Sequence, residues 1–214
     1  MNSDKIEGRN PVLEALKSER EIDKILIAKG ASEGSINKII AIAKDRGLTV
    51  QYVEKQKLNE LSETKSHQGV IALVAAYQYS TLEDIIELSK SGQQKAFVLL
   101  LDGIMDPHNL GSIMRTADAV GVSGIIIPKR RSVGLTATVA KTSAGAIEYV
   151  PVAKVANIAQ TIDKLKEEGM WIAGADMDGK RSHFDEDFKG PIAIVLGSEG
   201  QGLSRLVKKK CDFL

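Results

Sequence analysis

Apolar residues along this chain follow two rhythms, and their alternation predicts an α/β protein. Short apolar or alternating runs predict strands at IDKILIA (22–28), LTVQYV (48–53), VIALVAA (70–76), AFVLLL (96–101), 124–127, 147–151, 170–175 and 191–196. Helical spacing fills the gaps between most of them. Asn10 reads as an N-cap with Pro11 at the first helical position, opening a helix to about Lys17. Ser35 opens INKIIAIAKDR, which gathers Ile36, Ile39, Ile40 and Ala43 on one face before Gly47 ends it. A short helix is predicted around Leu58 to Leu61, and others at 110–120, 136–143, 155–168 and 203–209. Thr81 and Asp84 form a capping box ahead of a helix with Ile85, Ile86 and Leu88. Residues 1–76 then read as a small αβ unit closed by VIALVAA, 77–94 as a polar bridge, and 95–214 as a larger unit. Its apolar strands separated by helices imply a mostly parallel sheet covered on both faces.

Composition narrows the class only a little. A chain of 214 residues that is 43% hydrophobic and 27% charged has the make-up of a globular protein. No apolar run is long enough to span a bilayer, and MNSDKIEGRN lacks the apolar core of a secretion signal. Cys211 is the single cysteine, which excludes an internal disulfide and suits a reducing, cytoplasmic setting. The net charge of +1 gives no general pull on nucleic acid, so RNA or DNA binding would need local clusters. Two exist: Lys129, Arg130 and Arg131, with Lys141 and Arg115 near in sequence, and Lys208, Lys209 and Lys210. An isolated triplet of this kind is ordinarily a solvated surface.

The chemistry concentrates in three segments. DGIMDPHNLGSIMRTADAVG (102–121) follows a buried strand and carries Pro107, Asn109, Gly111 and Arg115 around one strand-to-helix turn, where α/β enzymes place ligands. PIAIVLGSEGQGLS (191–204) runs from a strand into Gly197, Gly200 and Gly202 with Glu199 among them. Their order, G-x-x-G-x-G, reverses the dinucleotide fingerprint, and a carboxylate there would repel a pyrophosphate. The loop therefore suits an uncharged or cationic ligand group. KTSAGAIEYVPV (141–152) places Thr142, Ser143 and Gly145 in a small-residue turn, able to admit a ligand or to let a helix pack closely. GADMDGKR (174–181) approaches a P-loop, but Arg181 stands where the magnesium-binding hydroxyl belongs. His67, His108 and His183 lie far apart with no ligand spacing to Cys or carboxylate pairs, so no metal is expected.

Asp102, Pro107, Asn109, Gly111, Arg115, Thr116, Ala117 and Gly121 resemble the first signature motif of the SpoU (TrmH-type) RNA 2′-O-ribose methyltransferases. LGSEGQGLS resembles the second, and GRNPVLEAL (8–16) the start of their substrate-binding domain, so the likeness spans essentially the whole chain. It implies an N-terminal RNA-binding αβ domain and a C-terminal SPOUT α/β-knot methyltransferase domain, assembled as a homodimer with the RNA site shared between subunits. It further implies S-adenosylmethionine as cofactor, held by Leu196, Gly197, Gly200, Gly202, Ser143 and Gly145. RNA contacts then fall to Arg9, Lys129, Arg130 and Arg131. The implied reaction is 2′-O-methylation of a ribose, a guanosine in large-subunit rRNA. Arg115 and Asn109 belong at the reacting hydroxyl, and Glu199 is placed to hold Arg115. A guanidinium stays protonated, so orienting the ribose and stabilising a developing alkoxide fit an arginine better than general-base work.

Family members continue past CDFL into an apolar strand, a third glycine-bearing loop and an apolar helix, whereas this sequence ends at Leu214. On the resemblance, that segment would complete the knot, one wall of the cofactor pocket and part of the dimer contact. Without it the expectation is an incomplete knot, weak cofactor binding and poor dimerisation. Two other readings stay open. One is a tRNA ribose methyltransferase, against which stands the separate N-terminal unit. The other is a non-catalytic RNA-binding remnant, favoured by the missing third motif.

Overall fold

The structure, a computed structural model, describes residues 5–18, 22–32, 34–62, 64–74, 77–91, 96–180 and 182–214. Arg181, the bridge residues 92–95 and the last two positions of VIALVAA lie outside the described residues. The chain divides into two compact units, 1–78 and 79–214.

The first unit runs β1 (Lys5–Glu7), α1 (Arg9–Lys17), β2 (Ile22–Ala28), α2 (Ser35–Asp45), β3 (Thr49–Val53), α3 (Lys55–Leu61) and β4 (Val70–Val74). Its sheet has the order β1-β4-β2-β3, with β2 and β3 parallel and β4 antiparallel to both β1 and β2. Side chains alternate across the sheet. Ile25, Ile27, Val70 and Ala72 meet Val12 and Leu16 of α1 and Ile36, Ile39 and Ala43 of α2 on one face. Leu26, Ala28 and Ile71 meet Leu58 of α3 on the other. The pattern does not announce β1, which has only three residues. The first helix begins earlier than Asn10: its N-cap is Gly8 at φ +92°. Gln68, far along the chain, explains the shift. Its side-chain oxygen accepts from the Arg9 backbone N–H at 3.2 Å, and its carbonyl accepts from Arg9 Nε at 3.1 Å.

The second unit contains α4 (Leu82–Ser91), β5 (Phe97–Asp102), α5 (Pro107–Ala119), β6 (Gly124–Pro128), α6 (Ala137–Thr142), β7 (Val152–Val155), α7 (Ile158–Glu167), β8 (Trp171–Ala175), β9 (Ile192–Gly197) and α8 (Arg205–Lys210). All five strands pair in parallel in the order β7-β6-β5-β9-β8. Val98, Leu100, Ile126, Ala153, Ile172, Ala193 and Val195 pack with Ile158, Ile162 and Leu165 of α7 and with Val207 of α8. On the opposite face Leu99, Leu101, Ile125 and Ile127 are buried, as are Leu110, Met114 and Ala117 of α5. Among the described residues no helix is long and apolar enough to cross a membrane.

Three stretches differ from the pattern reading. Within 77–94, read as a bridge, α4 sends Ile85 and Ile86 into the second core, and the Ser80 N–H donates to the Val152 carbonyl at 2.9 Å. The capping box forms as its residues require, with Thr81 N–H to Asp84 at 2.7 Å and Asp84 N–H to Thr81 Oγ1 at 3.1 Å. The strand expected at 147–151 lies at 152–155 instead. Ala144 and Gly145 adopt φ of +52° and +97°, which turns the chain into a 3-10 turn at Ala146–Glu148 before the strand can begin. The following helix starts at Ile158 because Asn157 caps it, accepting from Ala159 and Gln160 at 2.9 and 3.3 Å. Beyond α8, residues 212–213 run along β8, with Asp212 N–H to Ile172 O at 2.8 Å and Gly174 N–H to Phe213 O at 3.0 Å.

Candidate active site

Because the five strands are parallel, their carboxyl ends share one edge. The chain leaves β5 toward β6 and β7, while β9 and β8 occupy its other side. Such a reversal of strand order opens a crevice beyond the strand ends, the usual ligand position in open α/β sheets. A cleft of about 820 Å³ lies there, bounded by Asp102 and Gly103, by Pro128, Arg130 and Arg131, by Asn157 at the start of α7, and by Ser198 and the segment from Gly200 to Val207.

The loop leaving β9 is shaped by backbone packing. A Cβ on Gly197 would stand 2.1 Å from the Gly202 carbonyl carbon, so only glycine lets the chain double back over this point. Gly202 takes φ +61° and donates its N–H to the Ser198 carbonyl at 2.8 Å. A side-chain oxygen of Asp102, at the end of β5, accepts the Ser204 N–H at 2.8 Å. Asp176, just beyond β8, accepts from Lys208 Nζ at 2.8 Å. That bond, above all, holds the Asp176 carboxyl below the usual aspartate range and pushes Lys208 upward. Gly200 faces open space: a Cβ there would touch nothing within 4 Å.

Besides the Ser204–Asp102 bond, a second hydrogen bond joins the two motifs, this one between side chains. Asp106 caps α5, accepting from the His108 N–H at 2.8 Å with Pro107 in the first turn. This start sets Asn109, which donates from Nδ2 to Glu199 Oε1 at 2.8 Å. Arg115 is exposed, and among the described residues nothing hydrogen-bonds or ion-pairs with it. The contact expected between Glu199 and Arg115 is therefore absent, and Asn109 takes the carboxylate. Helix geometry gives the reason: six residues of α5 separate Asn109 from Arg115, which turns them about 120° apart. Arg115 shares its stripe with His108 and Gly111, the side that meets α6.

The remaining residues divide. Arg130 and Arg131 are exposed and line the cleft, bringing positive charge to its rim, while the Lys129 N–H bonds the end of β7 at Val155 O, 2.8 Å. Leu196 and Gly197 end β9 half-buried. Ser143 is completely buried, its hydroxyl given to the Ala140 carbonyl at 3.0 Å, and neither it nor Gly145 lines the cleft. Arg9 belongs to the first unit, beside Gln68. In the lysine triplet, Lys208 binds Asp176 and Asp178 and Lys210 binds Asp163, while Lys209 is exposed. His67 is buried with its Nδ1 accepting from Gly69 N–H at 3.0 Å, which leaves Nε2 to donate to Asn59 Oδ1 at 2.8 Å. Among the described residues no group of three His, Cys, Asp or Glu is arranged to hold a metal ion. Asp102 and Asp176 are the residues that motif reading leaves without a role. The available signal is position, since each carboxylate comes at or directly after the end of an apolar strand.

Comparison with known proteins decides the family. Residues 96–214 match the SpoU rRNA methylase family, and residues 5–80 match the RNA 2′-O ribose methyltransferase substrate-binding family. The chain belongs to the SpoU rRNA methylase family. A protein of Bacillus subtilis (strain 168) named as a TrmH family tRNA/rRNA methyltransferase, YacO, is 50% identical over 211 residues, covering 99% of this chain and 84% of its own. A Staphylococcus haemolyticus protein similarly named is 54% identical over 208 residues, covering 97% and 83%. In fold, this SpoU-family chain is similar to the SpoU methyltransferase AviRb of Streptomyces viridochromogenes, solved with AdoMet. There the TM-score is 0.57 at 22% identity, over 98% of this chain and 78% of that one. Family membership carries the RNA methyltransferase class with it.

Proposed function

We propose that the protein methylates a ribose 2′-hydroxyl of RNA, using S-adenosylmethionine bound in the cleft at the carboxyl ends of β5, β6 and β9, and that its target is a guanosine of large-subunit rRNA. The observation that carries this reading is the 2.8 Å bond from Asn109 to Glu199, which joins the two motifs beside that cleft. The residues present fit the cofactor. The cleft has about 820 Å³, within the size of small-molecule sites. Open backbone at Gly200 and the carboxylate of Asp102 in its wall suit a cation that carries no phosphate. Asp102, Gly103 and the 198–204 loop would hold it, and when bound it supplies an electrophilic methyl group on a sulfonium. The chain's own work is to bring the 2′-oxygen in line, exclude water and stabilise the oxygen as its proton leaves. Asn109, fixed by Glu199, is a donor for the ribose. Arg130 and Arg131 at the rim meet the flanking phosphates, whose charge dominates RNA affinity. Arg115, turned away from Asn109, fits a site completed by a second copy of the chain.

Transfer of labelled methyl groups into in-vitro transcribed large-subunit rRNA, compared with tRNA, tests the substrate. Arg115→Ala should lower the rate by about 10²–10³, leaving cofactor affinity and melting temperature close to the parent. Mixing Arg115→Ala with Asn109→Ala should restore activity in hybrid dimers. Normal turnover by Arg115→Ala, or no recovery on mixing, rejects the corresponding assignment.

A further inference from the structure

β9 is flanked in the sheet by β5 and β8, and each neighbour ends in a carboxylate: Asp102 closes β5, and Asp176 follows Ala175 of β8. Both reach the segment that leaves β9. Asp102 accepts the Ser204 N–H at 2.8 Å. The Asp176 side chain is only 7% exposed, and its Oδ2 lies 3.6 Å from the point where a Cβ on Gly202 would stand. Its Oδ1 takes Lys208 Nζ from α8 and the Asp178 N–H, at 2.8 and 3.0 Å. From these contacts the structure assigns Asp102 and Asp176 to a positioning role, holding the loop that leaves β9 from the two strands beside it and thereby setting how tightly the cleft takes S-adenosylmethionine.

The physical need is entropic. A loop with Gly197, Gly200 and Gly202 has more freedom to lose on binding than one carrying side chains at those positions. Fixing it beforehand removes that cost from the binding step. A backbone N–H donated to a carboxylate is the stronger kind of hydrogen bond. The Ser204 anchor on one side, with Asp176 packed against Gly202 and tied to Lys208 on the other, can therefore hold a short segment. The role rests on the cofactor reading above, but it differs from simple attraction between Asp102 and a sulfonium. Asparagine keeps the acceptor for Ser204 and discards the charge.

The test uses the full chain and S-adenosylmethionine in calorimetry, together with amide hydrogen exchange at Ser204 without cofactor. Asp102→Ala should weaken binding about tenfold and speed exchange at Ser204 by a similar factor, the worth of one such hydrogen bond. In turnover the loss should fall on the KM for S-adenosylmethionine, with kcat within about twofold. Asp102→Asn should recover most of both losses. Asp176→Ala, which removes the partner of Lys208 and the packing beside Gly202, should raise the KM in the same direction. Should Asp102→Ala lose its fold, Ser204→Pro removes the donor at a residue already at φ −63° and must reproduce the KM effect. If the parent binds cofactor and Asp102→Ala or Ser204→Pro binds equally well, the positioning role is wrong. If Asn is as poor as Ala, the charge acts directly and the role is again wrong. If the parent binds no S-adenosylmethionine, the cofactor reading fails, while exchange at Ser204 still decides whether the carboxylates hold the loop.

Discussion

Residues 142–146 and 197–204 both combine glycine with small polar side chains, and they meet their surroundings in opposite ways. In the first, hydroxyls turn inward: Thr142 Oγ1 donates to the Thr138 carbonyl at 2.8 Å and Ser143 Oγ to Ala140 at 3.0 Å. Small size there serves the contact between α5 and α6, where a Cβ on Gly111 would stand 2.6 Å from Thr142 Cβ. In the second, the Ser204 backbone N–H is the donor and the strand-end carboxylate of Asp102 accepts it, while Gly200 faces open space. Polar groups satisfied within their own helix close a surface. Polar groups satisfied by a neighbouring strand leave Gly200 of their loop facing open space.

Gly197→Ala should break this contrast most severely. Its methyl would overlap the Gly202 carbonyl carbon at 2.1 Å, and backbone cannot step aside as a side chain can. Cofactor affinity by calorimetry should fall by about 10² or more, the size expected when a preorganised site is lost. Gly111→Ala should do the reverse. Crowding Thr142 and the Ser143 N–H at 3.0 Å should cost about 1–3 kcal/mol in thermal or denaturant unfolding, with cofactor affinity retained by the folded fraction. Ser143→Ala is the gentlest probe. Removing one hydroxyl bonded to its own helix should cost no more than about 0.5–1.5 kcal/mol and leave methyl transfer unchanged. A loss of cofactor binding in Ser143→Ala would erase the distinction between the two segments.

Local signals made much of this molecule legible. The two-residue and 3.6-residue rhythms locate most strands and helices, and the Thr81–Asp84 box forms as written. Sequence spacing also contains the angle between Asn109 and Arg115, yet a shared motif invites the reading that its members act side by side. What local signals lack is partners far along the chain. Gln68 decides where α1 begins, and Asn109 meets Glu199 across nearly half the sequence. Ser143 shows the same limit, because a serine in a small-residue turn has the same pattern whether its hydroxyl faces a ligand or its own helix. The strand misplaced at 147–151 fails for a local reason: two successive residues at positive φ interrupt a run whose composition is otherwise right for a sheet.

The sheet order also dictates when the second unit can assemble. β5 pairs on one side, through Val98 to Leu100, with β6, soon after it in the chain, but on the other, from Phe97 to Asp102, with β9, beginning at Ile192. During synthesis the central strand therefore waits with one ladder of backbone groups unmatched until almost the whole unit has left the ribosome. Pairings of such long sequence separation are slow to form, and an apolar strand such as FVLLLD with an open edge is prone to join another chain meanwhile. α4, made just before β5, places Ile85 and Ile86 against the same core early and offers the nascent strand cover on one face. Folding yield, and its sensitivity to chaperones and translation speed, should thus depend on α4 more than its distance from the cleft implies.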